Sequence, residues 1–142
     1  MKVLNIKKAT PMHSALIVTS DRYTEDESTH NGILDTTKLN QVKDIQTVVS
    51  PSEMVAARGI KEGDVLLIDF KKYAKYKQKK NSMKETMDEH YDNILSFEIP
   101  TLLLDGREHL LIDMNDIALR VTDYEYVNEG EGLLSGEQVI LN

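Results

Sequence analysis

Apolar residues in this sequence come in runs of four to six, and each run is closed by a turn signal long before it reaches helical length. Runs that short cannot sustain the i, i+3, i+4, i+7 spacing of an amphipathic helix, but each fills one strand of a sheet. They predict strands at Ala15 to Thr19, Ile45 to Val49, Val65 to Phe70, Thr101 to Leu104, His109 to Ile112 and Ile117 to Val121. Ser50-Pro51-Ser52 closes the second, Lys61-Glu62-Gly63-Asp64 opens the third, and Asp105-Gly106 joins the fourth to the fifth. Asp-Gly between two apolar runs is a strong hairpin signal, because the turn needs positive φ, which glycine takes at little cost. The pattern predicts an all-β domain over residues 1–121, a small and mostly antiparallel barrel or sandwich.

Three segments stand outside this pattern. Residues 23–40 are polar, with Ile33-Leu34 as their only adjacent apolar pair, and are expected to form a long mobile loop of functional importance. Residues 71–97 form a lysine-rich insert in which Tyr73, Tyr76, Met83, Met87 and Tyr91 fall near helical spacing. Ser82 followed by Glu85 reads as a capping box for a short helix, Met83 to Asn93. Residues 122–142 form an acidic C-terminal extension with a hinge-like Asn128-Glu129-Gly130-Glu131-Gly132. Beyond the hinge, Leu133, Leu134, Val139, Ile140 and Leu141 are expected to dock, since apolar groups need burial.

Composition narrows the chemistry. The 142 residues carry 17 basic and 24 acidic groups, and five of the acids (Asp123, Glu125, Glu129, Glu131, Glu137) follow the last basic residue, Arg120. No apolar run approaches a membrane span, and the N-terminal residues lack a secretory signal, so a cytoplasmic protein is expected. The absence of cysteine removes disulfides, thiolate metal sites and cysteine nucleophiles. His13, His30, His90 and His109 share neither i, i+2 nor i, i+4 spacing, and no nucleophile elbow, P-loop or dinucleotide fingerprint is present. No catalytic residue, metal or cofactor is therefore expected. Lys71, Lys72, Lys75, Lys77, Lys79, Lys80 and Lys84, interleaved with Tyr73 and Tyr76, suit single-stranded nucleic acid. Glu85, Asp88, Glu89 and Asp92 follow at once, which favours solvated or salt-bridged lysines instead and makes nucleic acid an unexpected partner.

Four blocks, in order, resemble the small co-chaperonin family with the GroES fold. They are Pro11-Met12-His13 leading into Leu16-Ile17-Val18; Gly32-Ile33-Leu34; Ile60-Lys61-Glu62-Gly63-Asp64 leading into Val65-Leu66-Leu67-Ile68; and His109 to Ile112 followed by Asp116-Ile117-Ala118-Leu119. The resemblance covers residues 11–70 and 98–121. It implies a non-enzymatic homo-oligomeric barrel whose first and last strands, through Leu16, Ile17, Val18, Ile117 and Leu119, pair between subunits. It also implies that Gly32, Ile33 and Leu34 insert into a groove on a chaperonin ring. The missing glycine-rich hairpin between Val49 and Ile60, the insert and the extension mark a divergent member of the kind phages encode. Two alternatives use the same barrel. In one it is a virion structural protein, an auxiliary or decoration component whose loop, insert and extension clamp capsid subunits. In the other it binds oligonucleotides through the lysines.

Overall fold

The computed structural model describes residues 1–36, 38–80 and 91–127. In chain order they form β1 (Asn5–Ile6), β2 (Ala15–Thr19), β3 (Thr29–His30), β4 (Ile33–Leu34), β5 (Ile45–Pro51), α1 (Glu53–Ala57), β6 (Val65–Ile68), β7 (Ala74–Lys80), β8 (Tyr91–Phe97), β9 (Thr101–Leu104), β10 (Arg107–Asp113) and β11 (Ile117–Val121). All six expected strands are present. β5 and β10 run longer than their apolar runs, because strand pairing needs backbone and not hydrophobicity. The third ends early, since Phe70 leads into the 3-10 turn Lys71–Tyr73.

Seven strands join one mixed sheet in the order β1-β9-β10-β2-β5-β6-β11, with β1 parallel to β9 and every other pair antiparallel. β5 gives the sheet its bend. Its first half (Ile45, Gln46, Thr47) pairs with β6, its second half (Val48, Ser50, Pro51) pairs with β2, and the β2 register shifts between Ile17 and Val18. A strand that hands one neighbour off to another in mid-course coils the sheet around its inner face. Among the described residues the order remains open, with β1 and β11 as its ends.

Alternate residues point inward from β2, β5, β6 and β10, and they build the core: Leu16, Val18, Val48, Leu66, Ile68, Leu110 and Ile112, joined by Val55 and Phe70. α1 delivers Val55. Its N-cap, Ser52, accepts from the Val55 N–H at 3.2 Å and donates to the His13 carbonyl at 2.5 Å. His13 thereby has a backbone role, at left-handed φ 57°, in the turn that starts β2. Asp105 and Gly106, at φ 52° and 78°, form the expected two-residue hairpin between β9 and β10. The same turn binds β1, because Gly106 N–H donates to Asn5 Oδ1 and Asp105 N–H donates to the Ile6 carbonyl.

Two expectations are corrected. Beyond the 3-10 turn Lys71–Tyr73, the described part of the lysine-rich insert is strand: β7 and β8 pair with each other from Ala74↔Phe97 to Lys80↔Tyr91, so Tyr91, Asp92 and Asn93 of the expected helix are strand. The remainder of that helix, residues 83–90, and its capping pair Ser82 and Glu85, lie outside the described residues. Nor is β2 a subunit edge. It is hydrogen-bonded to β10 on one side and β5 on the other, and Leu16, Ile17 and Val18 are buried by their own chain.

Leu16→Ala should therefore lower the unfolding free energy by about 2–5 kcal/mol through loss of core contacts. Urea denaturation at unchanged m-value measures this, and a loss under about 1 kcal/mol would place the side chain outside a filled interior.

Candidate partner-binding surface

Strands β2 and β5 are adjacent, and the chain between them, residues 20–44, leaves the sheet and returns to it. A polar residue in the core secures both ends. Gln46 occupies an inward position of β5, two residues from Val48, and is 1% exposed. Its Oε1 accepts from Thr19 Oγ1 and from Asp21 N–H, each at 2.8 Å. Its Nε2 donates to the carbonyls of Asp21 and Lys43, each at 2.9 Å. The amide thus makes all four bonds available to it, which makes burial of so polar a group tolerable. Above this point the two limbs continue as a ladder: Lys43 N–H to the Asp21 carbonyl, Tyr23 N–H to the Gln41 carbonyl, and Asn40 N–H to the Tyr23 carbonyl.

Lys43 supplies a second tie. Its ammonium pairs with Glu27, which also accepts from the Thr24 N–H. It lies 4.6 Å from the centre of the Tyr126 ring and 5.7 Å from that of Tyr23. Lys38 covers Tyr23 at 4.6 Å. These are cation–π distances. The hydrogen bond from Lys43, then that from Thr24, holds the Glu27 carboxyl down to about 2. Burial pulls the Lys43 ammonium down, but its bond to Glu27 and the neighbouring Tyr126 and Glu27 charges raise it on balance. Tyr126 belongs to the C-terminal extension, so the extension begins by crossing the root of the loop.

Beyond the root, the 3-10 turn Asp26–Ser28 buries Ser28, whose Oγ donates to the Thr24 carbonyl at 2.7 Å. β3 and β4 then pair as a small hairpin, Thr29↔Leu34 and His30↔Ile33. The residues between them, Asn31 and Gly32, have φ of 52° and 78°, the signature of a tight two-residue turn. Gly32 makes the turn, Ile33 follows it with 74% of its surface exposed, and Leu34 is half-buried. The segment expected as a long mobile loop has a laddered root and a hairpin tip with one large apolar side chain on display. Asn-Gly in the sequence was the signal for that hairpin.

The other expected contact residues are dispersed. Ile117 packs against the core from β11, and Leu119 is 56% exposed on that edge strand. Leu133, Leu134, Val139, Ile140 and Leu141 lie outside the described residues. In the lysine cluster, Lys72 pairs with the buried Asp116 at 2.7 Å and Lys75 with Glu98 at 2.9 Å, while Tyr73 donates to Asp116 at 2.6 Å. Among the described residues, no three His, Asp or Glu side chains group as metal ligands, and no helix is long and apolar enough to cross a membrane. No protein-family model matches this chain, and no curated protein matches it significantly.

Gln46→Leu strands the groups that the amide satisfies and should cost about 1–3 kcal/mol. Accelerated hydrogen exchange at the Asp21 amide, with the β10 amides unchanged, locates the damage. The folded Glu27 carboxyl titrates below its unfolded value of 4.5, so its tie is complete above that value and is lost as the pH falls toward about 2. An NMR titration of Glu27 should show the low midpoint, and Lys43→Met should raise it toward the ordinary carboxylate range, with the bonds from Thr24 retaining part of the shift.

Proposed function

We propose that this protein is a non-enzymatic, homo-oligomeric co-chaperonin of the phage type. In this reading it is a GroES-like barrel that engages a chaperonin ring through Gly32, Ile33 and Leu34. One observation carries the reading: Ile33 stands exposed directly behind a tight turn, on a hairpin whose roots are fixed to the sheet by a buried amide. A preformed turn lowers the ordering cost of binding, so more of the burial energy of Ile33 appears as affinity. β1 and β11, the two ends of the sheet, support the assembly part of the proposal. Val3 and Leu4 beside β1 are exposed, as is Leu119 on β11, and strand ends of this kind pair readily with a neighbouring chain.

Ile33→Asp should weaken partner binding about ten- to a hundredfold, the equivalent of about 1.5–3 kcal/mol of lost side-chain burial, without lowering the unfolding midpoint. Native mass spectrometry with and without a chaperonin is the decisive measurement. A ring that gains the mass of the chaperonin supports the proposal, and a monomer or small oligomer indifferent to it removes the proposal. The double tie at the loop root favours one second reading, a virion structural protein in which the loop is a fixed clamp. Stoichiometric presence in purified particles would select it.

A further inference from the structure

A cleft of about 670 Å³ opens beneath the loop root, between it and the start of β9. Its apolar wall comes from Tyr23, Val42, Phe70, Phe97, Ile99 and Leu110, of which Phe97 is 45% exposed. Its charged lining is balanced, with Arg22 and Lys38 against Asp35 and Asp44. The cations are already engaged: Arg22 bonds Glu108 and the Asn40 carbonyl, and Lys38 lies over Tyr23. Such a lining offers little to an anion or a cation, and its favourable occupant is an apolar group that removes Phe97 and its neighbours from water.

The described start of the extension lies near this place. The extension crosses Lys43 through Tyr126, and Lys43 in turn faces Tyr23, a wall of the cleft. From Val127 the sequence runs through Asn128-Glu129-Gly130-Glu131-Gly132, without an apolar side chain, to Leu133-Leu134. Six residues reach at most about 20 Å, more than the two cation–π contacts, 4.6 Å and 5.7 Å, that link the Tyr126 ring to the Tyr23 ring through Lys43.

We propose that the cleft is the docking site of Leu133-Leu134 from the same chain, which fills it and braces the loop root from behind. This holds whatever Ile33 binds, so its test is separate from that of the co-chaperonin reading.

The absence of cysteine makes the test direct. In the full chain, Phe97→Cys is combined with Leu133→Cys or Leu134→Cys and oxidised, with Thr101→Cys as a second cleft position in case the Phe97 change disturbs folding. A disulfide requires Cα atoms within roughly 7 Å, so it forms efficiently only if the leucines reside in the cleft. The expected result is an intrachain link, identified by peptide mass spectrometry, for at least one pair at yields at least tenfold above a Phe97→Cys, Leu119→Cys control. Yields no better than the control at both cleft positions overturn the proposal. So does a link that joins two chains in a mixture of isotopically labelled and unlabelled protein, because the occupant is then a second copy.

Discussion

The buried amide of Gln46 is the interaction on which the layout of the functional face depends. It sits at a position that the alternation of β5 reserves for an apolar side chain, and it is affordable only because all four of its hydrogen bonds are made. Three of the bonds go to residues 19–21, where the loop leaves, and the fourth goes to residue 43, where it returns. A leucine there would fill the space but take from the Asp21 N–H and the Lys43 carbonyl the partners they find in the amide, while the Asp21 carbonyl would keep the Lys43 N–H. The root of the loop is held by this side chain together with the backbone ladder and the Lys43–Glu27 pair, and the hairpin at the tip is carried on that root.

Around that point, the bend in the sheet decides what is near what. Because β5 pairs with β6 along one half and β2 along the other, the inner face curls over its core, while β1 and β11 remain as ends. The first residues of the extension return to Lys43, and Lys43 also holds Glu27 in the loop. Loop and extension, separated by most of the chain, thus share one cation.

Much of the sheet was legible because its signals are local. Short apolar runs placed six strands, and Asp105-Gly106 placed a hairpin whose dihedrals require those two residues. The insert was misread for a reason equally local. Its tyrosines and methionines fall near helical spacing, yet Ala74-Lys75-Tyr76-Lys77-Gln78-Lys79-Lys80 also alternates, and pairing with Tyr91–Phe97 settles the matter by supplying a partner for every strand residue. Two signals at the candidate surface were present and went unread: Asn31-Gly32 as a tight turn, and a glutamine two residues before an inward valine. Lys43, Glu27 and Tyr126 carried no such mark, since nothing in their own neighbourhoods predicts that they meet.

The sequence by itself determined an all-β chain without cysteine chemistry, the positions of its principal strands and turns, and the place of Ile33-Leu34 in a polar excursion. These follow from side-chain alternation and turn dihedrals, which depend on a few neighbouring residues. Only the tertiary structure decided that β2 is central and not an edge, that Leu16 and Val18 are core and Leu119 is surface, and that Gln46 holds residues on both limbs of the loop. Burial and hydrogen-bond satisfaction are properties of segments brought together from far apart in the chain, and no local pattern encodes which distant carbonyl a buried amide will find.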